Sequence, residues 1–173
     1  MTPEHFHLVL NHLPIVGLAM AVLPLLAGLI ARNRAWQLCG LMLALVSTLS
    51  VPLVVWSGEQ AHERYGEGVV APFIDADGKH WMHVHGSRVE RGVKVYYAEA
   101  ALAALALIAA WKKPQWTSMA SALTLALAIG ALGVGVWIAD AGGKIRRPDF
   151  RGPAATVPTA EPASSAGVSG HHH

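Results

Sequence analysis

The chain has 173 residues, of which 53% are hydrophobic and 14% charged. Its mean hydropathy is +0.39. A soluble domain carries about 25% charged residues, and a net charge of +2 is too small to argue for nucleic acid. Composition thus points away from a soluble domain and from a nucleic-acid binder. The one cysteine, Cys39, can form no internal disulfide.

Four apolar runs follow one another, each about long enough to cross a bilayer. Run one covers about 8–31, and Thr2-Pro3 reads as a helix start, with Thr as cap and Pro in the first turn. His5, His7 and His12 then lie on that helix, and His5 and His12 share a face because they are seven residues apart. Pro14 and Pro24 are expected to kink it. Arg32-Asn33-Arg34 is a tight link into run two, about 35–56.

Residues 57–94 form the one substantial polar segment. Its first residues can extend helix two by a turn or two, and Asp77-Gly78 between β-prone stretches is a hairpin signal. Run three, about 95–111, holds Glu99 one turn in, with Tyr96 and Tyr97 read as interfacial anchors. Lys112-Lys113-Pro114 breaks it, and run four covers about 116–138. Trp56, Trp111, Trp116 and Trp137 fall at run ends, as an aromatic belt requires. Beyond about Pro153 the Pro/Ala/Ser/Thr tail is too apolar-poor to fold. His171–His173 read as a purification-tag remnant.

The expected fold is all-α: an antiparallel four-transmembrane-helix bundle over residues 1–151, with helices at about 3–31, 35–62, 88–111 and 116–140. A polar loop at about 57–94 carries the short hairpin. The charges around the first helix lead to the expectation that the polar loop and both termini are periplasmic.

At about 1.5 Å of rise per residue, His5, Glu59, His62 and Asp140 reach a common height, with His12 deeper and Glu99 deeper still. On a strand His83 and His85 would point the same way and chelate one ion. Mixed imidazole and carboxylate donors suit Zn, Fe or Cu. The candidate metal set is therefore His5, His12, Glu59, His62, His83 and His85, with Asp140 at the end of helix four. Haem b would draw its axial ligands from His12, His62 and His85. The competing account of the loop histidines is plain solvation; that of His12 is a hydrogen bond to a neighbouring helix backbone. Glu99 is expensive inside a spanning helix, so both it and His12 are expected to face the bundle interior. No GxSxG, P-loop, Rossmann or HExxH motif is present, which leans against an enzyme.

Asn11-His12-Leu13-Pro14-Ile15-x-Gly17, Gly58-Glu59-x-Ala61, Glu99-Ala100-Ala101 and Gly142-Gly143-x-Ile145-Arg146 together resemble a family of uncharacterised four-helix bacterial inner-membrane proteins. The resemblance covers residues 5–151 and implies the same fold and site location. Ala98 and Arg147 stand where the family pattern has histidines, so a cofactor held there would need His83 or His85 instead. The functional expectation is a metal or haem site in electron transfer or an accessory role, with the bilayer, a redox partner, other subunits of a membrane complex or a second copy as partners. Proton or cation passage and a structural subunit are the alternatives.

Overall fold

The computed structural model describes residues 2–69 and 71–152. The tail and its terminal histidines lie outside the described residues. Six α-helices account for most of the chain: α1 (Pro3–Leu10), α2 (His12–Ile30), α3 (Arg34–Leu49), α4 (Val51–Gly66), α5 (Ala76–Lys112) and α6 (Thr117–Arg146). They form four segments long and apolar enough to cross a membrane, Pro3–Ile30, Arg34–Gly66, Ala76–Lys112 and Pro114–Arg146.

The first two segments are each broken once, and proline is the cause both times. Pro14 has no N–H to donate to the carbonyl of Leu10, and the helix turns at Asn11. Pro52 withholds the same bond from Thr48, and the break falls at Ser50, whose Oγ donates to the Ser47 carbonyl at 2.6 Å. Pro24, by contrast, sits inside α2 with no break.

Small residues let α2 and α3 approach closely. A methyl group on Gly17 would strike Ser47, on Gly40 it would strike Leu25, and on Gly28 it would strike Gln37. Continue that register three residues from the Gly17–Ser47 contact and Pro14 comes opposite Ser50. The two breaks therefore lie within about one helical turn of each other.

The polar segment departs most from the sequence expectation. No strand occurs among the described residues, and the hairpin expected at Asp77-Gly78 is the first turn of α5. Asp75 is the reason: its Oδ1 accepts from the Gly78 N–H at 2.6 Å, capping the helix, and Asp77 adds negative charge at the helix N-terminus. Helix three consequently starts at Ala76 instead of about residue 88. What separates α4 from α5 is only the stretch between Gly66 and Ala76, which among its described residues holds one 3-10 turn, at Ala71–Phe73.

The buried faces run at three- and four-residue spacing. On α5 they are Gly78, Gly92, Tyr96, Glu99, Ala103, Ala106 and Ala110. On α6 they are Thr117, Ser121, Thr124, Ala128, Ala131, Gly135 and Ala141. Leu18, Ala21, Ala44, Val51, Tyr96, Ala103, Ala128 and Ala131 make the main core. At the end with the short links, Gln37 ties α2 to α6: its Nε2 donates to the Gly28 carbonyl at 2.9 Å and to Ser118 Oγ at 3.3 Å. Arg34 donates to the Ala110 carbonyl at 2.8 Å.

Past the proline breaks the packing changes. There α1 packs on α4, and the first half of α5 packs on the last half of α6, with little direct contact between the pairs. Each pair has its own ion-pair clasp. Arg64 binds Glu4 at 2.6 Å in the first; Arg151 binds Asp75 at 2.8 Å and Arg88 binds Asp140 at 3.1 Å in the second. The result is a sparsely contacted seam, a cleft, between the two pairs at the loop end.

Candidate functional site

His7 stands on the α1/α4 wall of this cleft and His85 on the α5/α6 wall. Both are half-buried, and they lie within electrostatic reach of one another. His7 continues the inward stripe of the first segment, three residues before buried Leu10. His85 lies on the inward stripe of α5, seven residues before Gly92 and fourteen before Glu99.

Their hydrogen bonds favour one tautomer in each. His85 Nδ1 lies 3.1 Å from the Ile138 carbonyl, which can only accept, so Nδ1 carries the proton. His7 Nδ1 lies 3.0 Å from Ser57 Oγ, whose own proton goes to the Val54 carbonyl at 2.9 Å. With the hydroxyl proton on the Val54 carbonyl, the serine accepts from Nδ1. Both imidazoles therefore present an unprotonated Nε2, and no hydrogen bond among the described residues engages either one. A glycine backs each ring: a Cβ on Gly58 would lie 3.0 Å from the His7 ring, and one on Gly142 would lie 3.2 Å from that of His85. Larger residues there would push the rings into the cleft.

The other expected ligands are not gathered here. His5 is exposed and bonded to Thr2 Oγ1 at 3.1 Å. His12 is exposed, contrary to expectation; its Nδ1 donates to the Leu8 carbonyl, one turn back on its own strand of helix, at 2.8 Å. Glu59 is exposed, and so is His62, which stacks on Tyr65. Asp140 is taken up by Lys144 and Arg88. The His83–His85 chelate is overturned by the helix, because residues two apart do not face one another. His83 instead lines an outer groove with His80, Arg91 and Trp137. Among the described residues no group of three or more His, Cys, Asp or Glu is placed to hold a metal ion.

Glu99 is where it was expected, fully buried, and neither carboxylate oxygen has a hydrogen-bond partner. Tyr96, expected as an interfacial anchor, is 4% exposed, and its hydroxyl is also unpartnered. Tyr97 is the exposed one of the pair.

No protein-family model, curated protein or solved structure matches the chain.

Proposed function

We propose that the chain is a small bacterial inner-membrane protein, an antiparallel four-helix bundle that holds haem b between His7 and His85 at its periplasmic end, for electron transfer or an accessory role in a membrane complex. The observation that carries this is the pair of half-buried imidazoles, each hydrogen-bonded through Nδ1, one on each helix pair beside the seam. A lone Zn, Fe or Cu ion takes three or four protein ligands, whereas haem takes two axial ones. The cleft supplies two. Donation from Nδ1 to Ile138 and Ser57 orients each ring and raises its basicity, as outer partners of ligating histidines do. Haem bound there would supply a one-electron couple. The resemblance to the uncharacterised four-helix family belongs to this reading: with Ala98 and Arg147 at two positions where that pattern has histidine, His7 and His85 remain for the task.

The test is absorption spectroscopy of the full-length protein in detergent with added haemin. The expected result is a Soret band that sharpens and shifts on dithionite reduction, with the split visible bands of a six-coordinate low-spin iron. His7→Ala and His85→Ala should each remove six-coordination, while His12→Ala and His83→Ala should leave it intact. Absence of a Soret band, or loss caused by the His12 or His83 variants instead, overturns the proposal.

A further inference from the structure

The buried carboxyl of Glu99 takes no part in holding a ligand at the histidine cleft. A carboxyl in the middle of a spanning segment, with both oxygens dry and unpartnered, is costly unless it carries a proton or has a route to one.

One direction holds a second unpartnered polar group, the Tyr96 hydroxyl. Helical side chains lean toward the helix N-terminus, which for α5 is the loop end. Tyr96 is three residues nearer that end than Glu99, on the same buried face. Its hydroxyl lies directly against Gly135, where a methyl group would displace it. Ile138, whose carbonyl receives His85, is three residues further along α6, a rise of about 4.5 Å. The Tyr96 hydroxyl thus stands between Glu99 and the floor of the cleft.

In the other direction the buried side chains are apolar or neutral and polar, and Ser121 Oγ is also buried without a partner. Ala103, Ala106 and Ala110 follow on α5, with Leu25 and Leu41 packed beside Ala106. Thr124 is committed to the Ala120 carbonyl at 3.0 Å, and Ser121 is one turn further toward the links. The buried residues around this stretch are Leu18 and Ala21 of α2, Ala44 and Thr48 of α3, and Ala128 and Ala131 of α6. None is ionisable. Tyr96 on its own helix and the two histidines beyond it are the titratable groups on the loop-end side.

We infer that Glu99 is an intramembrane proton-binding site that loads from the loop-end cleft through the Tyr96 hydroxyl. The hydroxyl and the carboxyl are not hydrogen-bonded to each other, so the loading step runs through water entering from the cleft. A proton from that water adds to a lone pair of the tyrosine oxygen, the hydroxyl's own proton passes to a water on its far side, and that water protonates the carboxylate. Tyrosine is restored and the carboxylate becomes a neutral acid, with no oxidant or reductant involved. The inference stands apart from what the cleft binds, so it survives or fails independently of haem.

Infrared difference spectroscopy of the full chain in lipid nanodiscs, without haemin, reads the carboxyl directly. Acidification should raise a carboxylic C=O band that shifts in D2O and is missing in Glu99→Gln. In Tyr96→Phe the band should remain, with its hydrogen–deuterium exchange slowed about a hundredfold, the low end of what a positioned proton-transfer group contributes. Should Glu99→Gln fail to fold, ¹³C-labelled glutamate in wild type and Tyr96→Phe gives the same comparison. No such band in wild type, a band that persists in Glu99→Gln, or unchanged exchange in Tyr96→Phe overturns the inference.

Discussion

His7 and His12 are five residues apart and settle their imidazoles in different ways. His12 returns its proton to its own helix and faces outward; His7 reaches across to Ser57 on another segment. The seven-residue spacing of His5 and His12 made them a pair in the sequence, and they do share a face, but it is the outer one. The readable signal was phase: His7, Leu10, Pro14, Leu18, Ala21 and Leu25 keep one inward stripe. Glycines obey the same distinction. Gly135→Ala places a methyl against Tyr96 Oη and should destabilise by about 1–3 kcal/mol through overpacking. Much of that loss should return in a Gly135→Ala/Tyr96→Phe double variant, which a double-mutant cycle of unfolding in detergent would measure. Gly130→Ala and Gly133→Ala meet open space and should be neutral or stabilising by up to about 1 kcal/mol.

At the scale of elements, the N-terminus of α5 hangs on Asp75. Its carboxylate is held below the usual range by the Arg151 guanidinium and then by the Gly78 N–H. A lowered folded-state pKa means that the stabilisation is present above the unfolded pKa and is lost as pH falls through the folded value. Hydrogen exchange over the first turns of α5 should therefore accelerate on acidification in wild type. In Asp75→Ala exchange should be fast already at neutral pH and respond little to acid. The sequence hid this element because Asp-Gly serves a turn and a helix start equally well; what decides is the aspartate two residues earlier, with an arginine far along the chain to hold it. The proline breaks were half legible. Pro14 announced a kink, but only the packing of α2 on α3 shows that it meets the break at Ser50. Pro52→Ala should restore continuity of the second segment, narrow the cleft, and weaken haemin binding in the spectroscopic titration.

For the whole molecule, four apolar runs and two short links were enough to read four helices of spanning length, because lipid leaves backbone polar groups no other partner. The site was less legible. It depends on which faces meet, and heights along separate helices carry no information on facing. The proposed bundle places Arg34 and Lys112 on the membrane side opposite Glu63. Single-cysteine variants at those positions, in a Cys39→Ser background, should label from opposite sides of sealed vesicles; labelling of all three from one side would refute the topology.

The neighbouring breaks at Asn11 and Ser50 also bear on how the proposed haem would get in. Both lie at the base of the α1/α4 pair, and the Glu4–Arg64 clasp keeps that pair together at its far end. The pair could thus swing as one flap on these two breaks, while α5 and α6 run unbroken behind it. Swinging the flap would admit a ligand sideways, from the bilayer, after the chain has already been inserted and folded.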